Sequence, residues 1–494
     1  MKKHTQSPYE SSEISYKPSG IKWLEEIPQS WKNVSIRSCF TESNQRCNTD
    51  SYPLLSVTIA NGIIYQDDIE NKKDISNDDK SNYKIVPLNA VAYNKMRMWQ
   101  GAVGVNTLTI GIVSPAYIVA IPNEKILPNF VSYLFKSKIM ISEFDKNSYG
   151  LCLDMNNLRY DDFRNIKIPL PPLQEQKEIA EFLDKKCEKI QNYIDKKQKL
   201  ITLLQEKKQA LINEAVCGRV ACHTADSHCH TEPLGEVSNP TCHTERSEVS
   251  HNTESKRDFS HSLKMTKEKQ LSMTTAYKPS GIEYLGLIPH HWEAVKVKFT
   301  AYVKGRIGFH GLNSNEFRYD EGAYLVTGND FDNNEVMWDK CRRVSEERFY
   351  EDPNIHLQNN DLLITKDGTI GKTAIVNNCP KQATLNSGIF LVRTMKKMCF
   401  VKYLFFIINS QYFKEFVNVK TSGSTIKHLY QSDFHDLKIP LPPLQEQKQI
   451  ANFLDEKCEK INSAIEKTKR QIELIKEYKN TLINEAVCGR IRVN

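Results

Sequence analysis

The sequence predicts an α+β protein: two mixed α/β domains at opposite ends of a long antiparallel two-helix coiled coil, related by a pseudo-twofold internal repeat. Three observations indicate this architecture. The chain has 494 residues, which is too long for one hydrophobic core. Several long stretches occur twice, in the same order. Each half closes with an unbroken helical pattern whose apolar residues recur at spacings of three and four.

The repeated stretches form a common frame. "YKPSGIKWLEEIPQSW" at 16–31 returns as "YKPSGIEYLGLIPHHW" at 277–292, and "IPLPPLQEQK" stands unchanged at 168–177 and 439–448. "LINEAVCGR" closes both halves. Two copies of so long a unit indicate duplicated domains, because solenoids use shorter and more numerous repeats. The sequences between the shared ends differ, so each half is a common frame around its own insert.

The frame divides the chain into six parts. They are a disordered tail at 1–15, a first variable domain at 16–167, a first spacer helix at 168–219, a low-complexity linker at 220–276, a second variable domain at 277–438 and a second spacer helix at 439–494.

The linker is polar and poor in large apolar residues, so we expect it to be disordered. Its Cys-His pairs, such as Cys222 and His223, do not have the spacing of a zinc site, and adjacent ligands cannot easily share one tetrahedral ion. We therefore expect no metal in this chain.

The spacer helices begin and end at recognisable residues. Pro171 and Pro172 are typical of a helix start, and Gly218 is typical of a helix end. The apolar seam would lie in water if each helix stood alone, so we expect the two seams to pack on one another as an antiparallel pair; the alternative is that each helix packs on its own domain. About 45 residues give a rod of about 65–70 Å. The predicted seam residues are Leu183, Ile190, Ile194, Ile201, Leu204, Leu211, Leu454, Ile461, Ile465, Ile472, Ile475 and Leu482.

Composition and the N-terminus bound the class of protein. The net charge of +7 and the pI of about 8.6 permit a polyanionic partner without requiring one. The N-terminal "MKKHTQSPYESS" has no apolar segment of a signal peptide, and the most apolar run, "YLFFII", is far shorter than the roughly 20 residues of a membrane span. We therefore expect a cytoplasmic protein without a membrane partner, whose thirteen scattered cysteines are reduced.

The sequence offers no positive case for catalysis. "DGTIGKT" at 367–373 resembles a phosphate loop, but Lys366 stands where the motif needs its first glycine. The surrounding pattern predicts a strand, a turn and a second strand instead of a strand and a long helix. Glu175 and Lys177 have the Glu-x-Lys spacing found in some metal-dependent nucleases. Both lie at the predicted helix start, where a glutamate and a lysine are expected anyway. No arrangement typical of a methyl-donor site or a nucleophilic triad can be singled out, so we predict no catalytic residue.

Basic and aromatic residues alternate in "YNKMRMWQG" at 93–101. If this segment is extended, Lys95, Arg97 and Trp99 share one face, which suits phosphates and guanine edges. Asn94 or Gln100 could then pair with adenine. The alternative interpretation is a half-buried strand whose charged face is merely solvated.

The second variable domain has two small, hydroxyl-rich turns, "ITKDGTIGKT" and "TSGSTIKHLY". Such loops can approach a DNA backbone closely, although they also serve as ordinary turns. The candidate DNA-binding residues in them are Lys366, Thr369, Lys372, Ser424, Lys427 and His428.

Taken together, these motifs resemble the specificity subunit of type I restriction-modification enzymes. The resemblance covers nearly the whole chain outside the first fifteen residues and the linker. It implies that the variable domains are target-recognition domains, each reading one half of a bipartite site in double-stranded DNA, and that the helices set the distance between half-sites. It also implies a subunit without its own catalysis or cofactor, which docks two modification subunits and restriction subunits. Those partners use S-adenosylmethionine, ATP and Mg²⁺.

Other interpretations stay open on the sequence alone. One is a coiled-coil interaction scaffold without DNA specificity, another is a self-sufficient DNA enzyme, and a third is a degenerate specificity subunit, because the linker is unusually long. Members of the family read different sequences, so signature stretches are poor candidates for base readers. We expect the readers in less recognisable loops, such as 43–49 and 305–315.

Overall fold

The computed structural model describes residues 15–47, 52–69, 80–150, 156–219, 276–282, 285–306, 312–421 and 428–491. Contacts divide the chain into two compact units. Unit 1 consists of Met1–Thr202 and Ile465–Asn494, and unit 2 consists of Leu203–Ala464. Each unit therefore combines one variable domain with a part of both spacer helices. Apart from one residue of each, the predicted tail and linker lie outside the described residues.

Among its described residues, unit 1 begins with twelve short strands and four α-helices, the last of which continues into unit 2. They are β1 Tyr16–Ile21, β2 Leu24–Pro28, β3 Lys32–Ser35, β4 Phe40–Ser43, β5 Leu55–Thr58, β6 Gly62–Tyr65, β7 Lys84–Val86, β8 Val91–Asn94, β9 Val103–Val105, β10 Gly111–Val113, β11 Tyr117–Pro122, α1 Pro128–Lys136, α2 Lys138–Lys146, α3 Tyr160–Phe163, β12 Lys167–Leu170 and α4 Leu173–Val216.

The largest sheet of unit 1 is antiparallel, with the order β4-β11-β8-β9. The strands β5 and β6 form a hairpin, and β7 pairs with β10. Helices α1 and α2 bury Phe130, Leu134 and Phe144 in the main core of the unit, which also contains residues of β8 and β9.

Among its described residues, unit 2 contains thirteen strands and five further α-helices. They are β13 Tyr277–Pro279, β14 Leu287–Pro289, β15 Glu293–Lys296, β16 Ala301–Gly305, β17 Ala323–Val326, β18 Phe331–Asp332, β19 Glu335–Val336, β20 Arg342–Val344, α5 Glu346–Tyr350, β21 Leu362–Thr365, β22 Thr373–Ile375, β23 Ala383–Leu385, β24 Ile389–Thr394, α6 Val401–Ile408, α7 Gln411–Lys420, α8 Gln431–Asp436, β25 Lys438–Leu441 and α9 Leu444–Val487, of which the last continues into unit 1.

Two sheets make up the variable domain of unit 2. The larger has six strands in the order β16-β24-β21-β22-β19-β18, and the smaller has three in the order β20-β17-β23. Strands β17 and β23 are parallel, whereas β20 pairs with β17 in the antiparallel direction. Helices α6 and α7 cover the larger sheet and are the counterparts of α1 and α2 in their position before the spacer helix. The predicted mixture of helix and sheet in both domains is confirmed.

The two long helices begin later than the boundaries 168 and 439 predicted for the spacer segments. Ile168–Leu170 belongs to β12, which pairs with β3, and β25 pairs with β15 in the same way. Helices α4 and α9 then start at Leu173 and Leu444, directly after two prolines, and each has 44 residues. The prolines explain the shift, because Pro171 and Pro172 lack the N–H groups that a helix interior needs.

Seam residues are shielded along both helices. All twelve predicted seam residues are buried or half-buried, while most of the residues between them are exposed. In unit 1, burial raises the pKa of the Cys187 thiol, and the nearby ammonium of Lys479 opposes this rise. In unit 2, Lys208 Nζ donates to Asn462 Oδ1 at 2.9 Å. The earlier part of α4 therefore lies beside the later part of α9 in unit 1, and the later part of α4 lies beside the first half of α9 in unit 2. The predicted antiparallel pairing is confirmed.

Each unit joins repeated segments from different copies. The Tyr16 hydroxyl donates to the Gly489 carbonyl oxygen at 3.0 Å in unit 1, and the Tyr277 hydroxyl donates to that of Gly218 at 2.9 Å in unit 2. The cores repeat the pattern, since Ala486, Val487 and Cys488 pack with the first domain. Likewise, the end of α4 packs with the second domain. In each unit the first repeated segment of one copy therefore packs against the last repeated segment of the other copy.

A buried glutamine fixes the start of each spacer helix. Gln176 is fully buried; its Oε1 accepts from the backbone N–H of Leu127 at 2.8 Å, and its Nε2 donates to the carbonyls of Lys125 and Pro171 at 3.0 and 2.9 Å. Gln447 makes three equivalent bonds in unit 2. The preceding glutamate accepts from a buried indole, as Trp31 Nε1 donates to Glu175 at 2.7 Å. The repeated "LQEQK" thus anchors each domain to its helix.

Within the described ranges, no helix has both the length and the apolar character needed to cross a membrane.

Candidate nucleic-acid interface

The predicted reader segment of unit 1 is a turn. Strand β8 ends at Asn94, whose Oδ1 accepts from the Met96 N–H at 3.0 Å, and a short 3₁₀ helix follows at Met98–Gln100. The prediction that Lys95, Arg97 and Trp99 share one face of an extended strand is therefore wrong. The physical reason is an asparagine side chain that starts a turn, together with a Met98 side chain that is fully buried in the core.

Polar side chains of this turn form hydrogen bonds within the turn itself. Arg97 Nη1 donates to Gln100 Oε1 at 3.2 Å, and Trp99 Nε1 donates to the Met96 carbonyl at 3.0 Å. The turn ends at Gly101, whose φ of 89° lies in the left-handed region. The candidates of this segment are thus held close together, although their arrangement comes from the turn and not from strand alternation.

Lys136 ties this turn to a neighbouring hairpin. Its Nζ donates to the carbonyls of Gly101 at 3.0 Å, Ile59 at 2.7 Å and Thr58 at 3.2 Å. Burial lowers the pKa of this ammonium to about 8. Among the described residues, its hydrogen-bond acceptors are these three backbone carbonyls.

A cluster of three cations lies next to the turn. Arg46 and Lys84 are directly opposite one another in an isolated antiparallel bridge, and Lys95 is near enough to act on Lys84. Burial lowers the pKa of Lys84; the charges of Lys95 and Arg46 lower it further, and only Glu42, at 3.9 Å, opposes them. Arg46 belongs to the loop 43–49 that the sequence marked as a candidate reader, whereas Lys84 was missed.

In unit 2, "DGTIGKT" forms the predicted strand-turn-strand. Strands β21 and β22 pair in the antiparallel direction, and the Thr365 hydroxyl accepts from the Lys372 N–H at 3.0 Å within the turn. Gly371 takes a φ of 87° and donates its N–H to the Thr365 carbonyl at 2.9 Å. Lys372 Nζ donates to the Gly328 carbonyl at 2.8 Å, so its charge also braces a neighbouring loop. Thr369 is exposed at the tip.

Asp367 brings two other candidates together. Lys366 Nζ contacts its carboxylate at 2.9 Å, and the Nδ1 atom of His428 forms a second, short contact with it. The Lys366 charge is therefore offset by a carboxylate, which weakens its case as a phosphate contact. Ser424 and Lys427 lie outside the described residues.

Arginines that the sequence reading missed lie on another edge of unit 2. Arg343 stacks over the Tyr324 ring at 3.7 Å, and Arg342 lies 5.2 Å from the centre of the Phe317 ring. Arg318 is exposed, and its backbone forms an isolated antiparallel β-bridge with the backbone of Arg343. The segments "NEFRYD" and "CRRV" carry the basic-aromatic signal that could have found them.

Comparison with known proteins decides the family. A family model described as the type I restriction modification DNA specificity domain matches residues 31–203 and 311–474, more than half of the chain. The chain belongs to this family of specificity subunits. Its function is accordingly the recognition of DNA sequence within a type I restriction-modification system.

Two relatives of this specificity subunit come from Methanocaldococcus jannaschii. The putative type I restriction enzyme MjaX specificity subunit is 23% identical, with 97% of this chain and 98% of the relative covered. The type I restriction enzyme MjaVIII specificity subunit is 24% identical over 78% of this chain and 75% of the relative.

A solved structure shares the fold. It comes from work on complex assembly and conformational transition of the type I restriction-modification system, and it matches this specificity subunit with a TM-score of 0.63 at 15% identity. The match covers 94% of this chain and 99% of the other. At this identity the likeness concerns the fold, and the cation clusters described above are features of this chain.

Proposed function

We propose that each variable domain reads one half of a bipartite site in duplex DNA. The observation that carries this proposal is the contrast between the halves: the frame segments are nearly identical, while the inserts between them differ in sequence and in sheet topology. A duplicated frame that holds two different domains suits a target made of two different half-sites. Each domain also has cations on its outer loops, which suit a polyanion.

The two spacer helices set the distance between half-sites in this proposal. A helix of 44 residues is about 66 Å long at about 1.5 Å per residue. Duplex DNA advances 3.4 Å per base pair, so this length corresponds to roughly 20 base pairs. The buried Gln176 and Gln447 fix the angle at which each domain leaves its helix, which makes the spacing a property of the frame.

The modification subunits dock on the helices. In unit 1 five large apolar side chains are exposed on them: Leu173 at 46%, Tyr193 at 41%, Leu200 at 40%, Leu474 at 57% and Tyr478 at 53%. Tyr193, Leu200 and Leu474 each directly precede a seam residue. Tyr478 follows Leu474 by four positions and therefore lies on the same face of α9. Exposed apolar residues gathered beside a seam suit the apolar face of a partner helix.

The chemistry belongs to the partners. In this proposal the specificity subunit acts in the cytoplasm, binds no cofactor and catalyses nothing alone. Two modification subunits methylate adenine with S-adenosylmethionine, and restriction subunits use ATP and Mg²⁺. This division follows from the family and from the lack of a catalytic arrangement in the sequence.

A domain exchange tests the proposal. Residues 32–165 would be replaced by the equivalent domain of another specificity subunit, and methylated adenines would be mapped in a host genome. We expect one half-site to change while the other half-site and the gap stay the same. A change in both half-sites would contradict modular reading. A complex that showed no preference for duplex DNA at any salt concentration would favour the scaffold, and methylation or cleavage by this chain alone would favour a self-sufficient enzyme.

A further inference from the structure

We propose that Arg318 and Arg343 clamp one backbone phosphate of the second half-site. This inference rests on the proposed function and deepens it by naming a DNA contact. The two arginines carry like charges that repel one another in the free protein.

The two arginines form a like-charge pair across two strands. The Arg318 N–H donates to the Arg343 carbonyl at 2.9 Å, and the Arg343 N–H donates to the Arg318 carbonyl at 2.8 Å. Residues that exchange both bonds are directly opposite, with Cα atoms about 5.5 Å apart and side chains on the same face. Two like charges in this relation destabilise the pair.

No carboxylate forms an ion pair with either arginine in the part of unit 2 that the structure describes. The other buried or half-buried arginines of this unit do have acidic partners: Arg306 lies 4.0 Å from Glu351, Arg348 contacts Glu316 at 2.6 Å, and Arg393 contacts Asp361 at 2.7 Å. Neither Arg318 nor Arg343 forms an ion pair among the described residues. An anion from outside the chain would supply the missing charge.

Arg343 is already held in place to receive it. Its guanidinium lies 3.7 Å from the centre of the Tyr324 ring, and its Nη1 donates to the Gly322 carbonyl at 3.1 Å. Tyr324 in turn packs edge-on against Trp338, with ring centres 5.7 Å apart. Because the side chain is ordered before binding, little further conformational entropy is lost when a phosphate binds.

Unit 1 contains a similar pair that supports a role in binding a polyanion. Arg46 and Lys84 are also opposite one another in an antiparallel bridge. That pair, however, has Glu42 within 3.9 Å of Lys84. The uncompensated pair in unit 2 is therefore the stronger candidate, and we assign the clamp to it.

A phosphate is favoured over a base edge for geometric reasons. Two guanidinium groups on one face can approach the oxygens of one phosphate together, while Arg318 is exposed and free to follow the backbone. Contacts of this kind place a domain on the duplex and carry no sequence information directly.

The test measures duplex binding by the complex of this chain with its modification subunits. Wild type, Arg318→Gln and Arg343→Gln would be titrated with a duplex carrying the mapped site over a range of salt concentrations. We expect each variant to reduce the slope of log K against log salt by about 0.9, and to weaken binding on the order of tenfold. The loss should be the same for a duplex with altered bases in the second half-site. Lys296→Ala is the control, because Asp436 already balances that lysine at 2.8 Å.

The free protein supplies a second readout. Removing one charge from a repelling pair should leave the melting temperature of Arg318→Gln unchanged or raise it, whereas loss of a merely structural contact would lower it. An unchanged salt slope in both variants, with normal wild-type binding, would overturn only this inference. A loss confined to one base sequence would also overturn it, in favour of base reading. A wild-type complex without salt-dependent duplex binding would overturn the proposed function as well.

Discussion

The hydroxyl of Tyr16 donates a hydrogen bond of 3.0 Å to the carbonyl oxygen of Gly489, 473 residues further along the chain. The bond joins the first repeated segment of one copy to the last repeated segment of the other. Gly489 has a φ of 72°, and a Cβ built on it would lie 2.5 Å from Pro28 Cδ and 3.1 Å from the Trp31 ring.

Gly489→Ala should therefore lower the free energy of unfolding of unit 1 by on the order of 3 kcal/mol, because backbone strain and a steric clash add together. Gly281→Ala is a matched control: it has a similar φ of 65°, but none of the residues that the structure describes lies within 4 Å of its built Cβ. Strain alone should cost about 1 kcal/mol there. Urea unfolding of both variants measures the difference, and equal losses would contradict the close packing at Gly489.

Gln176→Ala should destabilise unit 1 by about 2–4 kcal/mol, because the N–H of Leu127 and the carbonyls of Lys125 and Pro171 lose their buried partner. Gln174→Ala, two positions after Pro172, changes an exposed side chain that donates to Glu178, and it should change stability by less than about 0.5 kcal/mol. Thermal unfolding compares the two. A similar small effect at both glutamines would show that the buried amide is not what anchors the helix.

Lys136 predicts a pH dependence. Burial lowers its pKa to about 8 in the folded protein, below the 10.5 that is usual for a lysine. Between these values the unfolded chain binds more protons, so the stability contributed at this site rises with pH from about 8 to 10.5. After discounting for solvent screening, the rise is on the order of 1 kcal/mol.

Lys136→Met removes the titrating group and provides the comparison. The unfolding free energy of wild type minus that of the variant should increase from about pH 8 to pH 10.5. Denaturant titration at several pH values measures both free energies. All other titrating groups are common to both proteins. A difference that does not change with pH would contradict the lowered pKa.

Leu200→Glu should weaken assembly with the modification subunits at least tenfold, on the order of 1.4 kcal/mol or more, because it places a charge in the apolar flank that is proposed to bind them. Thr202→Glu changes an exposed residue that follows the same seam residue, Ile201, instead of preceding it. It should assemble normally. Analytical ultracentrifugation of the co-expressed subunits reports the outcome, and equal assembly by both variants would place the docking surface elsewhere.

Sequence reasoning succeeded where one pattern extends over many residues. The helices and their pairing follow from seven-residue spacings such as Leu183 to Ile190, and no single tertiary contact decides them. The near-identity of the two seams suits a pseudo-twofold pair, for which the antiparallel direction is favoured. The duplicated frame was equally accessible. The repeat did not reveal that Tyr16 would bond to Gly489 and Tyr277 to Gly218. The repeated segments are so similar that each tyrosine could equally have bonded to the glycine of its own copy.

Local features of the candidate interface were harder to predict. The segment after Asn94 alternates like a strand, but a side-chain hydrogen bond to the Met96 N–H turns the chain, and the buried Met98 overrides the alternation. The bridge between Arg318 and Arg343 depends on the pairing of segments 25 residues apart. Charge clusters that arise from strand register become visible only when the register is known.

The packing of the start of each copy against the end of the other has a consequence for a proteolytically cleaved chain. A cut between residues 219 and 276 would divide the polypeptide into pieces that both contribute to the core of each unit. Neither piece could leave without exposing apolar surface from both units, so nicked material should migrate as a single species on native gels and separate only after denaturation.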